Sequence, residues 1–548
     1  MRKVLCAILA VVLTAGLLSG CSEKPAPTSV TPASAGIPAL VGMLPVALPL
    51  VTEPKTLKVM ATGYNGKEQE KVFVWQEYEK MTGVSIDWTT VTRESRTEAY
   101  HTALTNHQSY DLILRCKLST IKLLRYGNSG LILDLAKDGL LQTYAPNCWA
   151  YLQAHPDTLA SVMNPDGSIY GLPQINSGAE LRVAQKIYVN KLWLERVNMS
   201  LPATTDELRA LLLAFKTQDP NGNGDATDEI PLCCDWDSIK MSLYGAFGLA
   251  NCGFHNDFID CDPVTGQVRM IEASKQYQSF LSYIRGLYAD GLLDNAVFDT
   301  EAQQLIGKIA ADRVGVFCST NLALLPADTA NNWVAIDEAL TGPDGDKLWS
   351  AIRANFHSSG AAVIPATCSD PALVLRWLDY FWTDEGTLFY HMGVEGETYT
   401  TLPDGTYDYL PRIYEEITAG NLAFDDVVSA YSPYPGGNNP TVEIAPFFMG
   451  GEMADVPAQA AKTLMTYGPE EYWPSFTFTQ EENDTLAAVK GDITKYCGRM
   501  CIDFITGKRS LDEWEPYLAQ LDKMGTAEVL QVYQAAVDRY RALTAAIK

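Results

Sequence analysis

Apolar and polar positions along the chain follow two different periods, and this pattern predicts strands that alternate with helices. Residues 57–61 form a short β-rich run, and residues 68–81 carry apolar side chains at helical spacing. Further strands are predicted at residues 84–88 and 110–114, with a helix over 94–106 between them. Strands and helices that alternate over short loops indicate an α/β lobe with a mainly parallel sheet.

The same criteria apply to the rest of the chain. Thr204 and Glu207 have the spacing of a capping box, which predicts a helix that begins after Thr204. The chain is predicted to become largely helical after residue 367. The other predicted elements are a crossing strand after the turn at 166–168, strands at 186–189, 313–318 and 361–366, a helix at 190–197 and a helical tail over 511–545.

Three residues follow strands of the predicted parallel sheet. In such a sheet, ligands sit at the carboxyl ends of the strands. Tyr64 and Asn65 come after the first strand, and Arg115 comes after the third. We therefore expect Tyr64, Asn65 and Arg115 to lie near a binding cleft.

The length of the chain indicates more than one lobe, and its net charge disfavours some classes of partner. A chain of 548 residues is too long for one ordinary core, so two or more lobes are expected. Apolar residues make up 47% and charged residues 20%, as in a folded chain. A formal net charge of −25 disfavours nucleic acid as a partner and disfavours adhesion to anionic lipid.

The N-terminus resembles a bacterial lipoprotein signal. Arg2 and Lys3 precede an apolar run over residues 4–18, which is too short for a comfortable membrane span. A leucine and two small residues then precede Cys21. The resemblance implies a signal peptide over residues 1–20 and two acyl chains on Cys21, which anchor the protein stably on the extracellular face of the cell membrane.

Residues 21–54 are predicted to be a tether. Pro, Ser, Thr and Ala dominate its first part, and Pro38, Pro45 and Pro49 interrupt its more apolar second part. Those prolines argue against a helix there.

The cysteines leave two readings open. Twelve are present, and an exported chain can form disulfides. Cys252 with Cys261 and Cys497 with Cys501 are plausible pairs, and buried free thiols are an equally acceptable reading of all ten beyond Cys6 and Cys21.

One acidic loop has the pattern of a calcium site. Oxygen-bearing side chains occupy loop positions 1, 3 and 5, and Gly224 follows at position 6, as in an EF-hand. Position 12 is Ile230 where an EF-hand has Glu, so Asp228 or Glu229 would have to complete the shell. The alternative is an acidic surface loop without metal. The predicted structural Ca²⁺ ligands are Asp219, Asn221, Asn223, Asp225, Asp228 and Glu229.

Catalytic patterns are weak. Asp384 and Glu385 are the most tempting acid pair for a glycosidase, but neighbours on a helix diverge by about 100° and cannot flank one sugar bond. The zinc-protease, serine-hydrolase and dinucleotide motifs are missing from the sequence.

Several separated segments together resemble the family 1 extracellular solute-binding proteins, the lipoprotein receptors of carbohydrate ABC importers. The Asp219 loop is similar to the calcium loop of a long-chain subgroup of that family. The other matching segments are DGSIYGLP at 166–173, YVNKLWL at 188–194, WLDYFWTDEG at 377–386, GVEG at 393–396 with Tyr399, FITG at 504–507 and SLDEW at 510–514.

The resemblance implies an α/β, two-lobed periplasmic-binding-protein-like fold of type II, with hinge segments and a largely helical C-terminal part. We expect residues 55–170 and 313–366 to form the N-lobe, and 171–312 and 367–548 the C-lobe. Sugar clefts combine aromatic platforms with polar groups. This adds Trp236, Trp349 and Tyr399 to the candidate ligand-binding residues, with the calcium loop stiffening the segment that presents Trp236.

The function implied is capture of an oligosaccharide and its delivery to an ABC permease without any bond being broken. Two alternatives stay open. One is a surface-anchored glycoside hydrolase or lyase, and the other is the same receptor fold with a peptide or another polar solute as cargo.

Overall fold

The computed structural model describes residues 44, 46–256, 258–403, 405–447 and 454–545. The predicted signal peptide, Cys21 and most of the predicted tether lie outside these residues. No helix in the described ranges is both long and apolar enough to cross a membrane.

The elements are numbered in chain order within the described residues. The strands are β1 (Lys55–Thr62), β2 (Val84–Val91), β3 (Leu112–Leu118), β4 (Leu172–Ser177), β5 (Lys186–Asn190), β6 (Ile230–Leu232), β7 (Ile259–Cys261), β8 (Val268–Met270), β9 (Val314–Ser319), β10 (Trp333–Ala335), β11 (Phe356–Val363), β12 (Tyr399–Thr401), β13 (Tyr407–Tyr409) and β14 (Val442–Ile444). The helices are α1 (Phe73–Thr82), α2 (Arg96–Thr105), α3 (Thr120–Asn128), α4 (Leu140–Tyr144), α5 (Pro146–Ala154), α6 (Pro156–Val162), α7 (Ala179–Arg182), α8 (Lys191–Arg196), α9 (Thr205–Thr217), α10 (Trp236–Leu243), α11 (Lys275–Ala289), α12 (Ala302–Ala310), α13 (Ala327–Ala330), α14 (Pro371–Asp379), α15 (Asp384–Met392), α16 (Pro411–Gly420), α17 (Phe424–Val428), α18 (Asp455–Met465), α19 (Gln480–Ile505), α20 (Trp514–Lys523) and α21 (Thr526–Ala545).

The first lobe is built on a mixed sheet in the order β14-β4-β11-β3-β1-β2. β1 pairs in parallel with both β2 and β3, as the alternating pattern predicts, whereas β11 runs antiparallel to β3 and β4. Apolar residues cover both faces of the sheet. Trp75 and Trp377 stack in the larger cluster, and Tyr100 and Ile113 belong to the smaller one.

The second lobe has its own sheet, in the order β10-β5-β9-β6. Its core is a separate and larger apolar cluster that includes Trp193, Phe215 and Phe280, together with residues of α19, α20 and α21. Each sheet therefore has its own hydrophobic core, as expected for two lobes.

Most predicted elements are present with small shifts at their ends. α9 begins where the capping box predicts, and the Glu207 amide donates to the Thr204 hydroxyl over 3.1 Å. α1 ends at Gly83, whose φ of 73° favours glycine. It begins later than residue 68 because Val72 is extended and a short 3-10 turn precedes it. The helical tail is divided at Gly525, between α20 and α21.

The predicted lobe boundaries need correction. β9, which we expected in the N-lobe, pairs with β5 and β6 in the second sheet, and β4, expected in the C-lobe, lies in the first. Residues 367–447 also belong to the first lobe, since β14 pairs with β4 and α14 packs into the first core. Pairing between distant strands leaves no local signal in the sequence, so the boundaries could not be read from it.

Two crossing segments connect the lobes and pair with each other. The Asn176 amide donates to the Asn355 carbonyl over 2.7 Å, and the Ala184 amide donates to the Ala351 carbonyl over 2.7 Å. The chain crosses once more after these segments: residues 356–447 lie in the first lobe and those from 454 onward in the second. The paired segments form the hinge between the lobes.

The end of the predicted tether packs on the first lobe. Leu50 is buried in its core, and the Leu50 amide donates to the Thr82 carbonyl over 2.9 Å. The tether boundary therefore falls before Leu50.

The ten cysteines within the described residues are free thiols. This includes both plausible pairs, Cys252 with Cys261 and Cys497 with Cys501. Burial raises the pKa of the Cys501 thiol to about 12, so it stays protonated.

Candidate functional site

The two lobes face each other at the carboxyl ends of β1, β2 and β3. Lys117 near the end of β3 is within electrostatic range of Arg353 in the hinge and of Asp237 in α10 of the second lobe. The lobes also touch beside this face, where the Asp328 amide donates to the Asn421 side chain over 3.2 Å. Because ligands bind at strand ends of such sheets, this interlobe face is the candidate site.

Tyr64, Asn65 and Arg115 lie close together in the first lobe. The Asn65 side-chain amide donates to the Asp426 carboxylate over 3.0 Å. Tyr64 is half-buried, and burial followed by the charges of Asp425 and Asp426 raises the pKa of its hydroxyl. Asn65 is exposed and Tyr64 is half-buried, so both reach the surface of the first lobe.

Arg115 has a different role from the one expected. Its side chain is 2% exposed, and its Nε donates to the Gly437 carbonyl over 3.2 Å. Its Nη2 also donates to the carbonyls of Pro435 and Gly437. A Cβ on Gly436 would lie 3.2 Å from Arg115 Nη2 and 3.3 Å from Tyr64 Cδ2. Arg115 thus fixes the turn that packs against Tyr64 and acts as a positioning residue.

Trp236 lies at the start of α10, directly after β6. The Asp235 carboxylate caps this helix by accepting the Ser238 amide over 2.9 Å. The Trp236 ring is half-buried and packs against Phe280 and Phe298, with centroid separations of 5.9 and 5.5 Å. One side of the indole is therefore supported by the core, and part of it reaches the surface.

Trp349 and Tyr399 are corrections. Trp349 is 1% exposed in the second core, and its indole nitrogen donates to the Gln185 carbonyl over 3.2 Å. Tyr399 is 6% exposed and packs edge-on against Tyr407 in the first lobe. Because both rings are buried, neither presents a face to a ligand. They were predicted from their position in the chain and their aromatic type, which do not report burial.

Four residues at the interlobe face were missed. Lys117, His255, Arg353 and His357 interact electrostatically with one another. Arg353 Nη1 donates to His357 Nδ1 over 3.4 Å. Lys117 could have been found from the strand-end rule that selected Arg115, since β3 continues to Leu118 and Lys117 lies near its end. The positions of His255, Arg353 and His357 relative to Lys117 depend on how the hinge joins the lobes, and the hinge has no local sequence signal.

The acidic loop lies between α9 and β6. The amides of Gly222 and Gly224 donate to the Asp219 carboxylate over 3.0 Å each. Asn223 donates from its side chain to Asp228 over 3.2 Å. Arg313 bonds to the Asp228 carbonyl over 3.1 Å and fixes the loop to β9.

The loop contains one unsatisfied acid. Both carboxylate oxygens of Glu229 are buried without a hydrogen-bond partner. Burial raises the pKa of Glu229, and repulsion from Asp228 and Asp219 adds to the rise. A hard cation would relieve this repulsion, so the oxygen-rich donor set fits calcium. Within the described ranges, however, no group of three or more His, Cys, Asp or Glu side chains is arranged as a metal site.

Two cavities lie away from the interlobe face. One of about 580 Å³ is lined by Tyr496, Arg499 and Tyr517 of the C-terminal helices. The other, of about 630 Å³, is lined by Tyr409 and Tyr414 beside α16. Neither involves residues of both sheets.

The chain is similar in sequence to known extracellular binding proteins. No family model matches the chain. It is 26% identical to the fructooligosaccharide ABC transporter substrate-binding protein FusA of Streptococcus pneumoniae, over 91% of this chain and 92% of that protein. It is also 24% identical to lipoprotein LipO of Bacillus subtilis, over 45% of this chain and 49% of LipO.

Solved structures show the same fold. The FusA complex with kestose superposes with a TM-score of 0.73 at 24% identity, covering 89% of this chain and 99% of FusA. The alginate-binding protein AlgQ2 superposes with a TM-score of 0.71 at 20% identity, with the same coverage. These similarities confirm the two-lobed fold and the resemblance to extracellular solute-binding proteins.

Proposed function

We propose that this chain, a relative of the substrate-binding proteins of ABC transporters, captures an oligosaccharide between its lobes and delivers it to a permease. The observation that carries the proposal is the interlobe face, where strand ends of one lobe meet α10 of the other across a paired hinge. FusA, which is similar over nearly its whole length, is named for fructooligosaccharides.

The mechanism is clamping. A ligand that contacts both lobes stabilises the closed arrangement by its differential affinity for that state. Trp236 offers an aromatic surface, while Tyr64 and Asn65 offer hydroxyl and amide groups for sugar hydroxyls. Arg115 keeps Tyr64 in place.

Titration calorimetry against an oligosaccharide panel tests the proposal, with chromatography of the recovered sugar. We expect saturable binding at one site and recovery of the intact sugar. Shortened or unsaturated products would indicate a hydrolase or lyase, and binding only of peptides would change the cargo.

We also propose a structural Ca²⁺ in the acidic loop, held by Asp219, Asn221, Asn223, Asp225, Asp228 and Glu229. An EF-hand mutant of FusA has been solved, which points to a corresponding loop in that protein. When bound, the ion would neutralise the acids and stiffen the connection from α9 to β6. A chelator should lower the melting temperature of the protein, because a ligand bound only by the folded state stabilises it. An unchanged melting curve would contradict the proposal.

Finally, we propose that Cys21 carries the lipid anchor that keeps the receptor beside its permease on the extracellular face of the membrane. The lipoprotein signal motif supports this. Replacing Cys21 with Ser should release the protein into the soluble fraction, and retention of C21S in the membrane fraction would contradict it.

A further inference from the structure

Four cationic side chains at the interlobe face have two acids, Glu94 and Asp237, within electrostatic range but not in ion-pair contact. Arg93 and Arg96 follow β2, Lys117 lies near the end of β3, and Arg353 lies in the hinge. Among the described residues, none of these four forms an ion pair. We call them the cleft cations.

Other partly buried cations either form ion pairs or, like Arg115 and Arg182, donate to backbone carbonyls. Arg269 contacts Asp260 over 2.6 Å, and Arg539 contacts Glu482 over 2.6 Å. Acidic residues outnumber basic ones by 66 to 41, so partners are abundant. An unpaired cationic group in such a chain is therefore unexpected from composition.

Lys117 is exposed to solvent and lies close to other cationic side chains. Protein atoms crowd its ammonium, and this desolvation, followed by repulsion from Arg96 and Arg353, lowers the pKa of the ammonium to about 8. Asp237, across the face, is the acid whose charge opposes this shift. The ammonium thus faces solvent while it is crowded by like charges.

Two histidines complete the group. Burial, followed by the charges of Arg353 and Lys117, lowers the pKa of His255 to about 3. The same causes hold the pKa of His357 well below its usual range. Both imidazoles are neutral near pH 7, where they serve as hydrogen-bonding groups. His255 Nε2 lies 2.7 Å from the Ser475 hydroxyl, which links the group to the second lobe.

The backbone at the end of β3 is strained in support of this arrangement. Arg115 and Lys117 have φ values of 58° and 52°, in the left-handed region that long side chains avoid. Gly360 of β11 approaches so closely that a Cβ there would lie 2.4 Å from the Leu118 carbonyl. Strain of this kind is typical of functional sites.

We propose that the cleft cations bind the carboxylate of an acidic oligosaccharide, so that the receptor prefers a uronate-containing sugar to a neutral one. This inference rests on the proposed receptor function. The planar guanidinium of Arg353 suits a carboxylate, and an anion offsets the repulsion between the cations of the first lobe and the hinge. The strongly acidic surface would otherwise repel such a ligand.

Calorimetry with trigalacturonic acid and with the neutral trisaccharide kestose tests the preference. We expect trigalacturonic acid to bind at least tenfold tighter. Arg353→Gln and Lys117→Gln should each weaken its binding by roughly 10- to 100-fold. Kestose binding should change little. The matched control Lys55→Gln, at the opposite end of β1, should leave both affinities unchanged.

The outcomes separate the two claims. Equal or tighter binding of kestose would overturn the acidic preference and leave the receptor function standing. Failure of every sugar to bind a folded protein would remove both. Tighter binding of a sulfated trisaccharide would overturn the carboxylate assignment. Thermal melting of each variant establishes that it is folded.

The pKa of Lys117 gives an independent readout. A bound carboxylate raises that pKa, so affinity should be full below about pH 8 and fall as the pH rises above it. The groups that surround this ammonium are Arg93, Arg96, Arg353, Asp237 and the two histidines. Calorimetry at pH 8 in buffers of different ionisation enthalpy should show proton uptake on binding. Uptake that persists in K117Q would contradict the assignment.

Discussion

At the scale of residues, the sequence was a better guide to which side chains lie near the interlobe face than to what each side chain does there. Tyr64 and Asn65 follow β1, as the sequence pattern predicts, whereas Arg115 lies within β3, which continues to Leu118. Arg115 binds backbone carbonyls, since its guanidinium is buried against the Pro435–Gly437 turn. Burial depends on residues 320 positions away, which no local pattern reveals.

Two tryptophans provide a matched pair that separates binding from packing. Trp236→Ala should weaken sugar binding at least about tenfold with a small change in melting temperature, because its ring reaches the surface. Trp349→Ala should destabilise the protein by about 3–5 kcal/mol, because that ring is 1% exposed. Calorimetry and thermal melting of both variants check this. The reverse assignment of effects would contradict the placement of the site.

The effect of replacing Glu229 on the stability of the protein should change sign when calcium is bound. The pKa of Glu229 is raised in the folded state, so its ionised form opposes folding and the cost disappears as the pH falls through that pKa. Without metal, Glu229→Gln should therefore stabilise the protein slightly, by less than about 1 kcal/mol, since solvent screens the charge. With calcium, the same change should destabilise it. Melting curves with chelator and with added calcium measure both effects, and a shift of the same sign in both would argue against metal at this loop.

At the scale of elements, local signals were sufficient for most helices and strands. The capping box at Thr204 predicted α9, and the helical spacing over residues 68–81 predicted α1. Lobe membership was not predictable in the same way, since β9 lies between β5 and β6, which are far from it in sequence. Arg353 was missed for this reason, because it approaches the other cleft cations only through the hinge.

A substitution at Gly360 tests whether close packing of β11 against β3 supports the site. Gly360→Val places a side chain against the Leu118 carbonyl, which lies 2.4 Å from an ideal Cβ. We expect a loss of about 1–3 kcal/mol in unfolding free energy and weaker binding, since the end of β3 carries Lys117. Gly491→Ala is the control, because a Cβ in that part of α19 meets nothing within 4 Å and alanine favours the helix. Unchanged stability and affinity in G360V would contradict the close approach.

At the scale of the whole molecule, two independent cores joined by paired segments favour motion about the hinge. The free energy of closure comes from contacts that a ligand makes with both lobes. Small-angle scattering should therefore show a smaller radius of gyration when sugar is added at saturating concentration. The same radius with and without a bound sugar would argue against closure.

The most direct test of the account is a crystal structure of the protein grown with trigalacturonic acid. We expect an intact sugar between the lobes, with a carboxylate near Lys117 and Arg353 and a ring against Trp236. A sugar bound outside the interlobe face, or found there in cleaved form, would contradict it.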